Sequence, residues 1–300
     1  MSLPDHVSEE RRRRPLVVAV TALAAILPLA GTFLQQSAYR NLGDSAPALL
    51  VDINSKASTL LISSIVTGIG AALLSYTLFY LYQATRARRP QTPAAARAAA
   101  VFGGVVTGVA GVALQVLLNA GAHNFVVDGG LSYDQARRVT GSDELLVVQA
   151  LGFAARLALA FAIVMIALNA MRAGLLTRFL GYVGIFVGVF LILPILGGTN
   201  VVIQSFWLVA LTFLLAGRWP NGVPPAWEDG EAHPWASMAQ QRDAAARAHE
   251  QGASPSEAAR ARPKPAKPDP ERDEKPAALP GRAQVPADPG AARRKRKKRK

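Results

Sequence analysis

Leu145-Leu-Val-Val-Gln-Ala-Leu-Gly-Phe-Ala-Ala-Arg156-Leu-Ala-Leu-Ala-Phe-Ala-Ile-Val-Met-Ile-Ala-Leu-Asn-Ala-Met171 is the stretch on which the fold turns. As a helix rising about 1.5 Å per residue it is longer than the roughly 30 Å of hydrocarbon in a bilayer. It carries one charged residue, Arg156. Only a helix satisfies its own backbone hydrogen bonds in such a slab, so the run reads as a membrane span. Five more runs of this kind lie at residues 16–34, 59–82, 98–118, 176–196 and 201–215. The expectation is an all-α chain, a polytopic transmembrane helical bundle of about six spans. Pro28 is tolerated in the first span as a kink. The last two spans are separated only by Gly197-Gly198-Thr199-Asn200, which makes them an antiparallel hairpin. The first run follows Arg11–Arg14 but is too long for a secretory signal, and no clear small-residue cleavage site follows it, so it reads as a retained span.

Composition agrees with this layout. Apolar residues make up 51% of the 300, yet they are bunched into runs with the charges between them, which is a membrane pattern. With no cysteine, disulfides, thiolate chemistry and Cys-based metal sites are excluded. The net charge of +13 resembles that of a nucleic-acid binder until its distribution is examined: residues 293–300 are all Lys or Arg, and without them the balance falls to +5. The chain therefore divides into a basic N-terminus (1–15), a membrane domain (16–216) and a Pro/Ala/Arg-rich tail (217–300). The tail has too little apolar content to offset the entropy of ordering and reads as disordered.

Orientation follows from Lys and Arg in the short loops. Arg11–Arg14, Arg86, Arg88, Arg89, Arg97, Arg172, Arg178 and Arg218 fall on one side, against Arg40, Lys56, Arg137 and Arg138 on the other. The positive side is cytoplasmic, so both termini are expected inside an inner (cell) membrane. Tyr80 and Tyr82 end the second span at that side and suit the interfacial belt. In the outer loops, Ser132 with Gln135 predicts a capped surface helix, Ser142 a cap for the fourth span, and Ser45 with Pro47 the start of a helix that continues towards the second span.

Small residues one turn apart, Gly104 and Gly108, Gly184 and Gly188, Ser64 and Gly68, predict close helix packing, within the bundle or at a homo-oligomer face. The centres of the spans hold no Asp, Glu, Lys or His, which argues against a proton-coupled transporter. Arg156 is the exception. It lies about 16 Å down the fourth helix from Leu145, and it must face protein or water. Gln149 shares its face; Gln115 with Asn119, and Asn200 with Gln204, are also in the outer half. These six predict a polar pocket open to the outer side with Arg156 at its floor, serving either as a structural network in a protein with a structural or interaction role, or as a site for the carboxylate or phosphate of a ligand or lipid in a small transporter or lipid- or anion-binding protein. His123, Asp128 and Asp134 read as a solvated loop rather than a metal site. No catalytic or cofactor motif is present: there is no nucleophile elbow, phosphate loop or dinucleotide fingerprint, and an enzyme is not expected.

The tail ends in Arg293, Arg294, Lys295, Arg296, Lys297, Lys298, Arg299 and Lys300. Such a run on a tether engages an anionic partner, either lipid head groups or RNA, including a membrane-docked ribosome. Three passages, Leu81-Tyr-Gln-Ala-Thr-Arg-Ala-Arg-Arg-Pro90, Leu175-Leu-Thr-Arg-Phe-Leu-Gly-Tyr-Val-Gly184 and Gly217-Arg-Trp-Pro-Asn-Gly-Val-Pro-Pro-Ala-Trp227, resemble an uncharacterised family of actinobacterial multi-spanning membrane proteins. The resemblance covers the spans and implies membrane location. It carries no activity or site residue across.

Overall fold

The structure, a computed structural model, describes residues 3–40, 43, 45–128, 130–193, 199–220, 222–235 and 242. Every regular element among them is helical: α1 (Leu3–Tyr39), α2 (Ala46–Ser55), α3 (Ala57–Arg88), α4 (Ala94–Val127), α5 (Tyr133–Thr140), α6 (Asp143–Arg172), α7 (Arg178–Ile192), α8 (Thr199–Leu215) and α9 (Ala226–Asp229). Helices α1, α3, α4 and α6 are long and apolar enough to cross a membrane; α7 and α8 are apolar but shorter. With 15 and 17 residues, those two rise only about 22 and 25 Å. The Gly197-Gly198 part of the turn expected between them lies outside the described residues.

The six apolar helices close a ring. α1 packs on α3, α3 on α4, α4 on α6, α6 on α7, α7 on α8, and α8 returns to α1, while α3 also touches α6 across the middle. Large side chains such as Ile26, Phe33, Ile62, Val109, Phe153, Phe186 and Phe206 remain exposed around it. So broad an apolar exterior calls for a non-aqueous surround.

Polar side chains join four of the seams. Thr21 and Thr77 share a hydroxyl contact of 3.2 Å between α1 and α3. The Ser75 hydroxyl donates to the Ala100 carbonyl at 2.8 Å, Ser205 to Ala25 at 2.8 Å, and the Trp207 indole to Leu180 at 3.0 Å. The small-residue pairs are used inside the chain: Gly104 faces Ala71 and Ser75, Gly68 and Gly108 face one another, and Gly184 and Gly188 face α6 and Trp207. At one end of the bundle α2 and α5 lie over α4, with Leu50, Ile53, Leu60, Phe125 and Ala136 as a second small core. Ser45 and Ser132 cap α2 and α5 as expected. Ser142 stands at the start of α6 without a side-chain cap, and Asp143 and Glu144 supply favourable charge to its first turn.

At the opposite end, α6 and α8 stop in the same way. Gly174 (φ 77°) and Gly217 (φ 75°) occupy the left-handed position just past each helix. The Leu175 N–H returns to the Ala170 carbonyl at 2.9 Å, and the Arg218 N–H to Phe213 at 3.0 Å. This six-to-one closure favours glycine. It leaves the neighbouring carbonyls to be satisfied by other groups.

The α4–α6 seam depends on Gly103, where an added Cβ would lie 2.5 Å from the Leu159 nitrogen and 2.9 Å from the Ala155 carbonyl oxygen. Gly103→Ala is therefore expected to destabilise the fold by about 1–3 kcal/mol through overpacking. Gly111→Ala on the same helix, with nothing within 4 Å of an added Cβ, is expected to leave the thermal unfolding midpoint in detergent unchanged; equal effects at the two positions would contradict this packing.

Candidate functional site

Two places gather polar groups, one at each end of the bundle. The first begins with Arg88 in the last turn of α3. Its guanidinium grips the Glu10 carboxylate of α1 with two bonds of 2.8 Å, donates to the Ala226 carbonyl at 2.8 Å and to Ala84 at 2.9 Å. The side chain of Arg88 is 1% exposed and that of Glu10 15%. The guanidinium also lies 5.4 Å from the ring centre of Trp227, whose other neighbour is Tyr80, stacked at 6.1 Å and 9°. An arginine fork held this way makes a bidentate, charge-assisted contact and a cation–π contact at once.

Residues 222–235 complete this end as a collar. The Trp227 indole donates to the Leu175 carbonyl at 2.8 Å, Trp235 to Leu176 at 2.9 Å, and the His233 backbone N–H to Ala173 at 3.1 Å. These are carbonyls left over at and just beyond the end of α6. Arg14 of α1 does the same for α8, donating to Leu214 at 3.4 Å and to Leu215. The sequence reading starts the tail at Gly217, whereas the described part of that region is packed against the bundle, with Trp227 buried. Tyr80 and Tyr82, expected at an interfacial belt, are likewise buried. Indole donors eight residues apart, at Trp219, Trp227 and Trp235, together with the Ala-Gly helix ends at Gly174 and Gly217, were the signal for this collar.

Beside the collar, a cleft of about 670 Å³ opens between α1 and α3. Arg13, Arg86 and Arg97 line it with Glu9 and Tyr82. Arg13 is paired with Glu9 at 2.6 Å, and Arg86 donates to the Tyr82 hydroxyl at 2.8 Å.

The six residues expected to form one outer pocket are distributed over three places. Gln115 is buried and donates to the Asn119 side chain at 2.8 Å, and Asn119 donates to the Ala57 carbonyl at 3.0 Å, tying α4 to the start of α3. Asn200 reaches back to the Leu193 carbonyl at 3.4 Å, on the α7–α8 side, with Gln204 one turn further along α8. Gln149 and Arg156 share a groove of about 510 Å³ between α4 and α6, lined also by Thr107, Gly111 and Gly152. Both side chains are exposed on the flank of the bundle rather than enclosed in it. Helical spacing put Gln149 and Arg156 on one face correctly, but it does not say which neighbour covers that face.

Among the described residues, no group of three or more His, Asp or Glu side chains suits a metal ion. Residues 293–300 lie outside the described residues. Compared with protein-family models, curated protein sequences and solved structures, the chain matches none.

Two outcomes follow for the collar. Glu10→Gln leaves the Arg88 charge buried and half-paired, and removing one partner of such a pair costs about 3–5 kcal/mol. Chemical unfolding of this variant in detergent should show a loss of that size, with Glu10→Gln and Arg88→Leu far from additive; additive effects would mean the two groups act separately. The second concerns pH. Burial raises the Asp229 carboxyl, but the Glu231 N–H and the His233 side chain outweigh burial and hold it below its ordinary value. A carboxylate lowered on folding stabilises the folded state above its unfolded-state pKa, and that contribution disappears as pH falls through the folded value. Acidification through that range should loosen the collar, seen as faster proteolysis of residues 222–235, and Asp229→Asn should remove this acid sensitivity.

Proposed function

We propose that the chain is a six-crossing protein of the inner (cell) membrane, with both termini cytoplasmic, that acts as an anchor rather than an enzyme and holds its polybasic tail end at a defined place on the membrane's inner face. The observation that carries this reading is the collar. It gathers the start of α1, the end of α3, the α6–α7 turn, the end of α8 and residues 222–235 at one end of the bundle. That end also carries most of the loop arginines, the pattern of a cytoplasmic face. Even if the short α7–α8 hairpin stops before the far surface, it returns to the side from which it started, so the placement of both ends is unaffected.

The resemblance of the three boundary passages to uncharacterised actinobacterial membrane proteins fits this location. Residues 293–300 then bind anionic lipid head groups of the same membrane, at about 1 kcal/mol per basic residue near the surface. RNA on a membrane-docked ribosome is the competing anion.

The test uses the full chain in nanodiscs. With phosphatidylglycerol present, tryptic clipping of residues 293–300 should be slow and should accelerate as salt is raised; in phosphatidylcholine discs it should be fast throughout. Equal clipping in the two lipids overturns the lipid assignment. Ribosome co-sedimentation that is lost on deleting residues 293–300 would assign the tail to RNA instead.

A further inference from the structure

Among the described residues, the groove between α4 and α6 brings together polar groups that have no partner within the chain. The Thr107 hydroxyl oxygen is buried with no hydrogen bond, and Arg156 and Gln149 stand exposed in the same groove. Elsewhere the seams pair such groups within the chain, as Ser75, Ser205, Trp207 and Gln115 demonstrate. Three observations narrow what covers Arg156.

The first is depth. Arg156 lies about 16 Å along α6 from Leu145, and its side chain leans back towards the outer surface by less than half of that. Lipid phosphates at the surface therefore remain out of reach, and an arginine left bare in hydrocarbon costs at least about 2.5–3.5 kcal/mol.

The second is charge. The described apolar helices carry no acid at this depth: Glu9 and Glu10 belong to the inner end, and Asp52, Asp128, Asp134, Asp143 and Glu144 to the outer. A second copy of this chain, placed symmetrically on the groove, would bring arginine against arginine and supply no counter-charge.

The third is shape. A Cβ at Gly111 would meet nothing within 4 Å, and one at Gly152 would touch only the Ala110 methyl at 3.5 Å. Small residues beside a groove allow a neighbouring backbone to come close.

From these we infer that the α4–α6 groove seats a transmembrane helix of a different protein, one carrying an Asp or Glu near mid-membrane that pairs with Arg156. Its carboxylate accepts from the guanidinium fork, and Gln149 and the Thr107 hydroxyl provide further polar contacts along the same line. A charge pair of this kind in hydrocarbon is specific because either partner alone is costly there. The inference rests on the membrane reading proposed above.

The experiment co-reconstitutes the labelled full-length protein in vesicles with model Leu/Ala transmembrane helices bearing a central Asp, a central Lys or neither, and reads association by energy transfer. The Asp helix should bind about tenfold more tightly than the plain helix. Arg156→Gln should erase that difference, and Arg156→Asp should transfer the preference to the Lys helix. Gly111→Leu, which fills the groove floor, should weaken binding while leaving the unfolding midpoint in place. Equal binding of the three model helices, or an Asp preference that survives Arg156→Gln, overturns the inference. So does self-association of the protein lost in Arg156→Gln, or enrichment of spin-labelled phosphatidylglycerol around Arg156. The chain has no native cysteine, so single cysteines at Ser142 and the exposed Gln91 report topology independently in the same vesicles. If Ser142→Cys and Gln91→Cys do not label from opposite sides, the membrane reading itself fails. If they do and the helices bind alike, only the partner-helix inference falls.

Discussion

The ion pair between Glu10 and Arg88 is the interaction on which the collar end of the molecule depends. It joins α1, α3 and residues 222–235 at a single guanidinium, because the same group that holds Glu10 also donates to the Ala226 carbonyl and supports the face of Trp227. A charge buried this deeply is tolerable only when its donors are satisfied. Glu10 takes two bonds, two backbone carbonyls take two more, and the aromatic ring covers the plane. The geometry leaves little room for the partners to be anywhere else, so one residue positions three segments that are distant in sequence.

The same economy of polar groups governs the rest of the bundle. An apolar surround offers no water to a stray donor or acceptor, and each must be met inside the chain. Hydroxyls in the helix interiors return to their own backbone, as Thr85 does to Leu81 and Ser63 to Leu60. Helix ends are harder to satisfy. α6 and α8 each stop at a glycine that closes one bond of the last turn and leaves nearby carbonyls open, and those carbonyls are met by Trp227, Trp235, His233 and Arg14. The collar is thus the completion of two helix termini by groups brought from elsewhere, which explains why a region of modest apolar content is packed at all.

How much of this the sequence disclosed depends on the range of the interaction. Apolar runs, loop arginines, the caps at Ser45 and Ser132 and the close approach at Gly104 and Gly108 are properties of neighbouring residues, and they were legible. The collar was not: Trp219, Trp227 and Trp235 stand out in the sequence as amphipathic rings suited to an interface, but the Trp227–Leu175 and Trp235–Leu176 bonds join residues 52 and 59 positions apart, and spacing does not say which carbonyl an indole meets. The outer pocket misled for a related reason. Spacing on one helix shows that Gln115 and Asn119, or Gln149 and Arg156, share a face, but which faces meet depends on where the other helices stop.

That last point accounts for the exposed arginine. Gly188 of α7 packs against Ala160 and Val164 of α6, and α7 ends at Ile192, one turn later. Running antiparallel, α7 therefore stops near the level of Arg156. Below that level the Arg156 face of α6 is covered, and Ala160, Ile163 and Ala167 are buried. Above it the same face continues through Gly152 and Gln149, where among the described residues α4 lies beside it. A seventh helix laid in that space would restore, in the N-terminal half of α6, the cover that α7 provides in the C-terminal half, and Arg156 sits at the step between the two.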